Sequence, residues 1–199
     1  MTARNPDENK ARLRILEAAQ ERFYRFGFTK VTTEEIATDL RISKKTLYRI
    51  FPTKDDIISG VVEITKKEIA GGVRGLIADE RTDFVEKLKR LMGFLGMQLS
   101  RLGRPFVQDL QRSAPDLWAD IDRFRREQIF ANFMNLFQEG MRKDAFRKDV
   151  PPQLVVLMFV NLVQSLINPD ILSEFPFSAS NMFEAITKVS LEGILTEKG

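Results

Sequence analysis

The chain has 199 residues, 43% of them hydrophobic and 30% charged, with a formal net charge of +3 and neither cysteine nor histidine. This balance excludes a disordered chain, a disulfide framework and a thiolate or imidazole metal site, and it removes the commonest general base and the thiol nucleophile, so enzymes are demoted. The charge is uneven: residues 1–50 hold 11 Lys/Arg against 7 Asp/Glu, the remainder 20 against 21. The split points either to a basic front module that meets a polyanion or to no more than a local fluctuation.

The start, MTARNPDENKARLRIL, has no apolar run ahead of its charges, so a secretory signal is not expected and the cytoplasm is the expected compartment. The longest apolar stretch, Leu154 to Ile167, is too short to span a bilayer and is interrupted by Asn161, Gln164 and Ser165. It reads as a buried helix, and no membrane partner is expected.

In chain order, Leu13, Leu16, Ala19, Phe23 and Phe26 recur at spacings of three and four between Lys10 and Phe28, which predicts an amphipathic helix that Gly27 ends. Thr32 or Thr33 then caps a short helix, EEIATDL, with Glu34 and Glu35 in its first turn and Ile36 and Leu40 on one face. After a turn at Arg41-Ile42, Ser43 caps KKTLYRIF, which Pro52 stops by lacking an N–H and clashing with the preceding turn. Thr53 caps a fourth helix, with Asp55 and Asp56 in its first turn, running toward Gly71-Gly72. Further helices are predicted over 84–102, 105–111, 115–142, 152–167 and 178–195, with a loop over 168–177. No sustained strand-like alternation, repeat or flexible linker occurs, so the expected fold is all-α with its two parts rigidly joined.

The third of these helices raises a question of chemistry. Leu47 and Phe51, four apart, can pack inward with Ile36 and Leu40, while Lys44, Lys45, Tyr48 and Arg49 are left on other surfaces. Two short helices joined by a tight turn, the second carrying basic and hydroxyl side chains, suit a helix-turn-helix whose second helix enters the DNA major groove. The N–H groups at the start of that helix and at Thr53-Lys54 suit phosphate oxygens.

ISKKTLYRIFPTKDDI, preceded by TTEEIATDL and ARLRILEAAQERFYRFGF, resembles the DNA-binding domain of TetR-family transcriptional regulators over residues 11–62. The family's Ser-Lys start, Thr-Leu-Tyr centre and Phe-Pro-x-Lys exit stand at Ser43, Lys44, Thr46, Leu47, Tyr48, Phe51, Pro52 and Lys54. The sequence departs from the pattern twice. Arg41 stands where the turn often has glycine, so either an arginine is left-handed or the turn differs; Ile50 stands where an aromatic is frequent.

The resemblance implies a helix-turn-helix DNA-binding domain over 1–52 and a helical ligand-binding and dimerisation domain over 53–199. It implies DNA contacts by Thr33, Ser43, Lys45, Thr46, Tyr48 and Arg49, with Lys44 and Lys54 mainly on phosphates. Ser43 is first a helix cap. Arg4, Lys10 and Arg12 either reach the DNA backbone from the N-terminal arm or form a solvated basic tail.

Twelve of the 16 phenylalanines lie between Phe84 and Phe183 and serve a core or a cavity; Phe124, Phe130, Phe133 and Phe137 fit the inner stripe of one helix. The resemblance implies a small-molecule pocket here, for which Phe94, Met97, Gln98, Trp118, Phe133, Phe137 and Gln164 are the candidates. Gly93 and Gly96 either open space for a ligand or allow helices to cross closely. The last two helices carry apolar residues on more than one face, among them Val156, Phe159, Val160, Val163, Phe183, Ile186, Val189 and Ile194. The resemblance implies a homodimer through this pair, hence an approximately palindromic operator.

The expected function is a ligand-responsive repressor that needs no cofactor or metal and has a DNA operator, a small hydrophobic effector and a second copy of itself as partners. Its rival is a helical small-molecule binding protein that does not act through DNA. A third class, an enzyme using a carboxylate pair, has Asp109, Asp116, Asp120 and Asp122 to offer, although these sit near helix ends and on a polar face.

Overall fold

The structure, a computed structural model, describes residues 6–166 and 169–192, and within them it is all-α. Arg4, Ile167, Ile194 and Leu195 lie outside the described residues. The elements are α1 (Pro6–Phe26), α2 (Thr33–Asp39), α3 (Lys44–Ile50), α4 (Lys54–Ile77), α5 (Phe84–Arg101), α6 (Arg104–Ser113), α7 (Pro115–Arg142), α8 (Pro152–Leu166), α9 (Pro169–Glu174) and α10 (Ala179–Glu192). They form two compact units, Met1–Lys67 with Leu102–Ala119, and Glu68–Arg101 with Asp120–Gly199.

In the first unit, α1 begins four residues before the expected Lys10, because Pro6 is pre-shaped for the first helical turn and Asp7 and Glu8 complement its dipole. Its inner face is Ile15, Leu16, Ala19, Gln20, Phe23 and Tyr24. Leu13 and Phe26, expected on the stripe, are 49% and 44% exposed; the spacing marked the helix correctly but drew its apolar face too wide. Gly27 closes α1 with φ +79° and donates its N–H to the Phe23 carbonyl.

The helix-turn-helix follows from local chemistry. Thr32 is the cap of α2, in a reciprocal capping box with Glu35, which leaves Thr33 inside the helix. At the other end, Arg41 N–H reaches the Thr38 carbonyl and Ile42 N–H the Ala37 carbonyl, a Schellman closure that needs a left-handed residue between them. Arg41 takes that conformation at φ 53°, so the family's glycine turn is kept at a backbone cost of roughly 1 kcal/mol. Ile36, Leu47 and Phe51 are wholly buried, whereas Leu40, expected beside them, is half-buried. Ile50 is buried as well, so the departure from an aromatic there belongs to the core.

α6 packs on α1 in the same unit. The Phe106 ring lies 5.0 Å from that of Tyr24 and 6.1 Å from that of Phe28. Asp109 accepts from the Thr29 N–H at 2.8 Å and from its hydroxyl at 2.9 Å. A side chain at Gly27 would meet this carboxylate at 2.5 Å, so the turn after α1 needs glycine for space as well as for its φ.

In the second unit the core gathers Phe84, Leu88, Leu91, Phe133, Leu136, Phe137, Phe146, Val156, Phe159 and Val160 with Phe183 and Ile186 of α10. α4 runs on through Gly71-Gly72 to Ile77 instead of stopping at the glycines. Gly72 serves close packing instead: a Cβ there would come within 2.2 Å of the Phe94 ring. Phe133 and Phe137 are buried as expected, but Phe124 is half-buried and Phe130 is 42% exposed. Periodicity fixes an angle about a helix axis, not the length over which neighbours cover it. α9 occupies part of the expected 168–177 loop, opened by Pro169 and anchored by buried Leu172.

One buried cation went unnoticed in the sequence. Lys87 is 4% exposed; its Nζ donates to the Ile77 carbonyl at the end of α4 and lies 3.6 Å from the Glu139 carboxylate. The helix-end oxygen and the carboxylate replace the water it gave up.

Candidate functional site

α3 has seven residues, too few to hold a helix without its surroundings, and three features fix it. At its start the Ser43 oxygen accepts the Thr46 N–H at 3.1 Å, and the two hydroxyls share a second hydrogen bond at 2.9 Å. Beneath it lie Leu47, Ile50 and Phe51. At its side the Tyr48 and Thr33 hydroxyls meet at 2.8 Å, tying α3 to α2. Thr33 is itself buried, so on this geometry it steadies Tyr48.

Ser43, Lys44, Lys45, Tyr48 and Arg49 are exposed, Thr46 and Lys54 half-buried. All eight expected DNA residues thus lie in the first unit, six of them on α3 or its cap. Lys44 is paired with Glu34 of α2 at 2.6 Å. Lys45 and Arg49 have no ion pair among the described residues, which leaves two cations on an exposed helix face. Lys54 opens α4, where Thr53 and Asp56 exchange capping bonds: Asp56 N–H to the Thr53 hydroxyl at 3.1 Å and Thr53 N–H to the Asp56 carboxylate at 2.9 Å.

Behind α2 a charged cluster ties it to α1. Arg22 makes a two-pronged contact with Asp39, one arm at 2.8 Å, and reaches Glu35 at 3.5 Å. The Arg22 hydrogen bond holds the Asp39 carboxyl below the usual range and raises the guanidinium in turn. Glu35 is also held low, first by the Thr32 N–H and then by the Thr32 hydroxyl.

The expected effector residues fall in both units. Trp118 belongs to the first unit and the other six to the second. Phe133 and Phe137 line an apolar pocket with Leu88, Met92, Phe146 and Phe159, of about 10 Å³, space for about one water. Phe94 is packed against Gly72, and Met97 is 54% exposed. Gln98 accepts from Arg101 at 3.1 Å, and Gln164 donates to Asp122 at 3.4 Å. Gly96 faces the Phe183 ring of α10, where an added Cβ would sit 3.6 Å away, whereas the space at Gly93 is open.

The four carboxylates offered for catalysis are spread over both units. Asp109 is bound to Thr29, Asp120 to Arg123, and Asp122 to Gln164. On the neighbouring turn of α7, burial lowers the Arg125 pKa, with the Asp122 charge opposing it.

The outer face of α8 presents Leu154, Leu157, Met158 and Leu162, each between 37% and 56% exposed, and on α10 Val189 is 72% exposed. Of the apolar residues that the sequence places on more than one face of the last two helices, Val156, Phe159, Val160, Val163, Phe183 and Ile186 are buried within the chain. α8 is apolar on nearly every side, so sequence could not say which stripe faces inward. Among the described residues no helix is long and apolar enough to cross a membrane.

Known proteins share these features. Residues 15–61 match the family model for bacterial regulatory proteins of the tetR family, a span that contains the helix-turn-helix. The uncharacterized HTH-type transcriptional regulator YvaF of Bacillus subtilis (strain 168) is 27% identical over 174 residues, 86% of this chain and 89% of that protein. A TetR-family transcriptional regulator from Marinobacter aquaeolei VT8 superposes with a TM-score of 0.73 at 21% identity, over 94% of this chain and 92% of that one. The fatty acid degradation regulator FadR from Bacillus halodurans does so at 0.67 and 19% identity, over 96% and 98%. TetR-family regulators are non-enzymatic DNA-binding proteins. Residues 15–61 thus carry the DNA-binding domain of the tetR family, and over most of its length the chain is similar to transcriptional regulators of that fold.

Proposed function

We propose that the protein is a repressor that binds a palindromic operator as a homodimer and is released by a small hydrophobic effector. The observation that carries the DNA reading is the exposed face of α3, where Lys45, Tyr48 and Arg49 project from a helix whose cap and core leave it one orientation. Lys45, Thr46, Tyr48 and Arg49 address the major groove, Lys44 and Lys54 the phosphates, and Ser43 and Thr33 act chiefly through the helix they hold. Lys44 must exchange Glu34 for a phosphate, a cheap step for an exposed pair.

Dimerisation follows from the uncovered stripe of α8 together with Val189 of α10, which water would otherwise meet. The effector region is the second unit, whose core around Phe133, Phe137 and Phe159 is aromatic and aliphatic and suits an apolar guest, although the described pocket must widen beyond its room for about one water to admit one. Such a guest can release DNA only to the extent that it prefers the non-binding arrangement. Selection of duplexes from a fully randomised DNA pool tests the reading: an enriched palindrome supports it. No enrichment at low salt by folded protein moves the function to small-molecule binding without DNA.

A further inference from the structure

Arg12 lies on α1, and two of its contacts bear on the end of α3. Its Nη1 donates to the Ile50 carbonyl at 3.3 Å, and its guanidinium carbon sits 4.1 Å from the centre of the Phe51 ring. Ile50 is the last residue of α3 and Phe51 its C-cap, so the cation meets the negative end of the helix dipole and a carbonyl with no partner inside the helix. Phe51 is held from α4 as well: a Cβ at Gly60 would come within 3.4 Å of its ring and 2.6 Å of Leu16. The helix end is therefore set between α1 and α4, with Ser43 fixing the start.

We propose that Arg12 is a positioning residue for DNA recognition, a C-terminal clamp on the recognition helix, and not a phosphate contact of the N-terminal arm. The proposal rests on the DNA-binding reading for its effect on affinity but not for its effect on the helix. A planar guanidinium can donate in its plane to Ile50 and stack its face on Phe51 at once; an ammonium can do only part of this.

The test compares the full-length protein with Arg12→Ala and Arg12→Lys by hydrogen exchange and by binding to a duplex selected from random DNA. In Arg12→Ala, exchange of the amides over residues 44–51 should speed up roughly tenfold, the equivalent of one charge-assisted hydrogen bond, while residues 15–26 stay protected. DNA affinity should fall by about the same factor with the slope of log affinity on log salt unchanged, and Arg12→Lys should restore part of both. A slope shallower by about 1.8 with unaltered exchange would mean that Arg12 neutralises one phosphate in each subunit of a dimer, and would overturn the proposal. Equal acceleration over residues 15–26 and 44–51 would overturn it too, since Arg12 would then merely stabilise the unit. If the wild-type protein selects no DNA, the functional reading falls, and the exchange pattern alone decides the role of Arg12.

Discussion

α3 and α8 are both helices with a buried apolar side, yet they leave opposite surfaces behind. α3 is seven residues long, hides Leu47 and Ile50, and turns lysine, tyrosine and arginine outward. α8 is fifteen residues long, hides five apolar residues, and turns out leucine and methionine. The side that folds the chain is the same in kind; the side left over differs. A cationic remainder with hydroxyls suits a hydrated polyanion, whereas an apolar one gains only by leaving water, which another protein surface allows. The two helices also lie in different units, so each surface can be damaged while the other is kept.

The largest effect should come from removing what lies beneath α3. Phe51→Ala should cost about 3–5 kcal/mol, a large part of a domain's stability, seen as a strongly lowered melting transition and weakened DNA binding. Next, charging the uncovered stripe with Leu157→Asp and Met158→Asp should leave the monomer folded, because both side chains are exposed, but convert dimers to monomers in sedimentation. A dimer that survives both changes would place the interface elsewhere. Lys45→Ala and Arg49→Ala should preserve the fold and the dimer while weakening DNA binding. If about four basic groups per subunit meet phosphate, the wild-type salt slope should be roughly −7, and each phosphate left without its cation should make it shallower by about 0.9.

The smallest effect concerns acid. Asp39 and Glu35 have pKa values depressed in the folded state, so their contribution is present above the ordinary carboxylate range near 4 and fades as pH falls through the lower folded values. Thermal melts should show stability declining below about pH 4, and Asp39→Asn should reduce that decline while lowering stability slightly at neutral pH. An undiminished decline would locate the acid sensitivity in other groups.

The recognition half was far more legible than the effector half. Caps, a proline stop and a tight turn act over three or four residues, so Ser43, Pro52 and the place of the Arg41 turn could be read in order along the chain, while the left-handed conformation of Arg41 came from the structure. The residues expected to line an effector site come from several helices, and what a phenylalanine lines depends on its neighbours in space. Phe133 and Phe137 do share a pocket, but Met97 is exposed to solvent, and nothing in its spacing said so.

Sequence by itself determined the helical register, the helix-turn-helix and the basic character of α3, because each follows from short-range sterics, capping and the period of apolar residues. Tertiary structure decided the rest. Gly72 proved to be a close-packing point against Phe94, Asp109 a tie to Thr29, and Arg12 a partner for the end of α3. It also chose which stripe of α8 stays wet. Those outcomes depend on which surfaces meet across long stretches of chain, and a periodic pattern carries an angle but no partner.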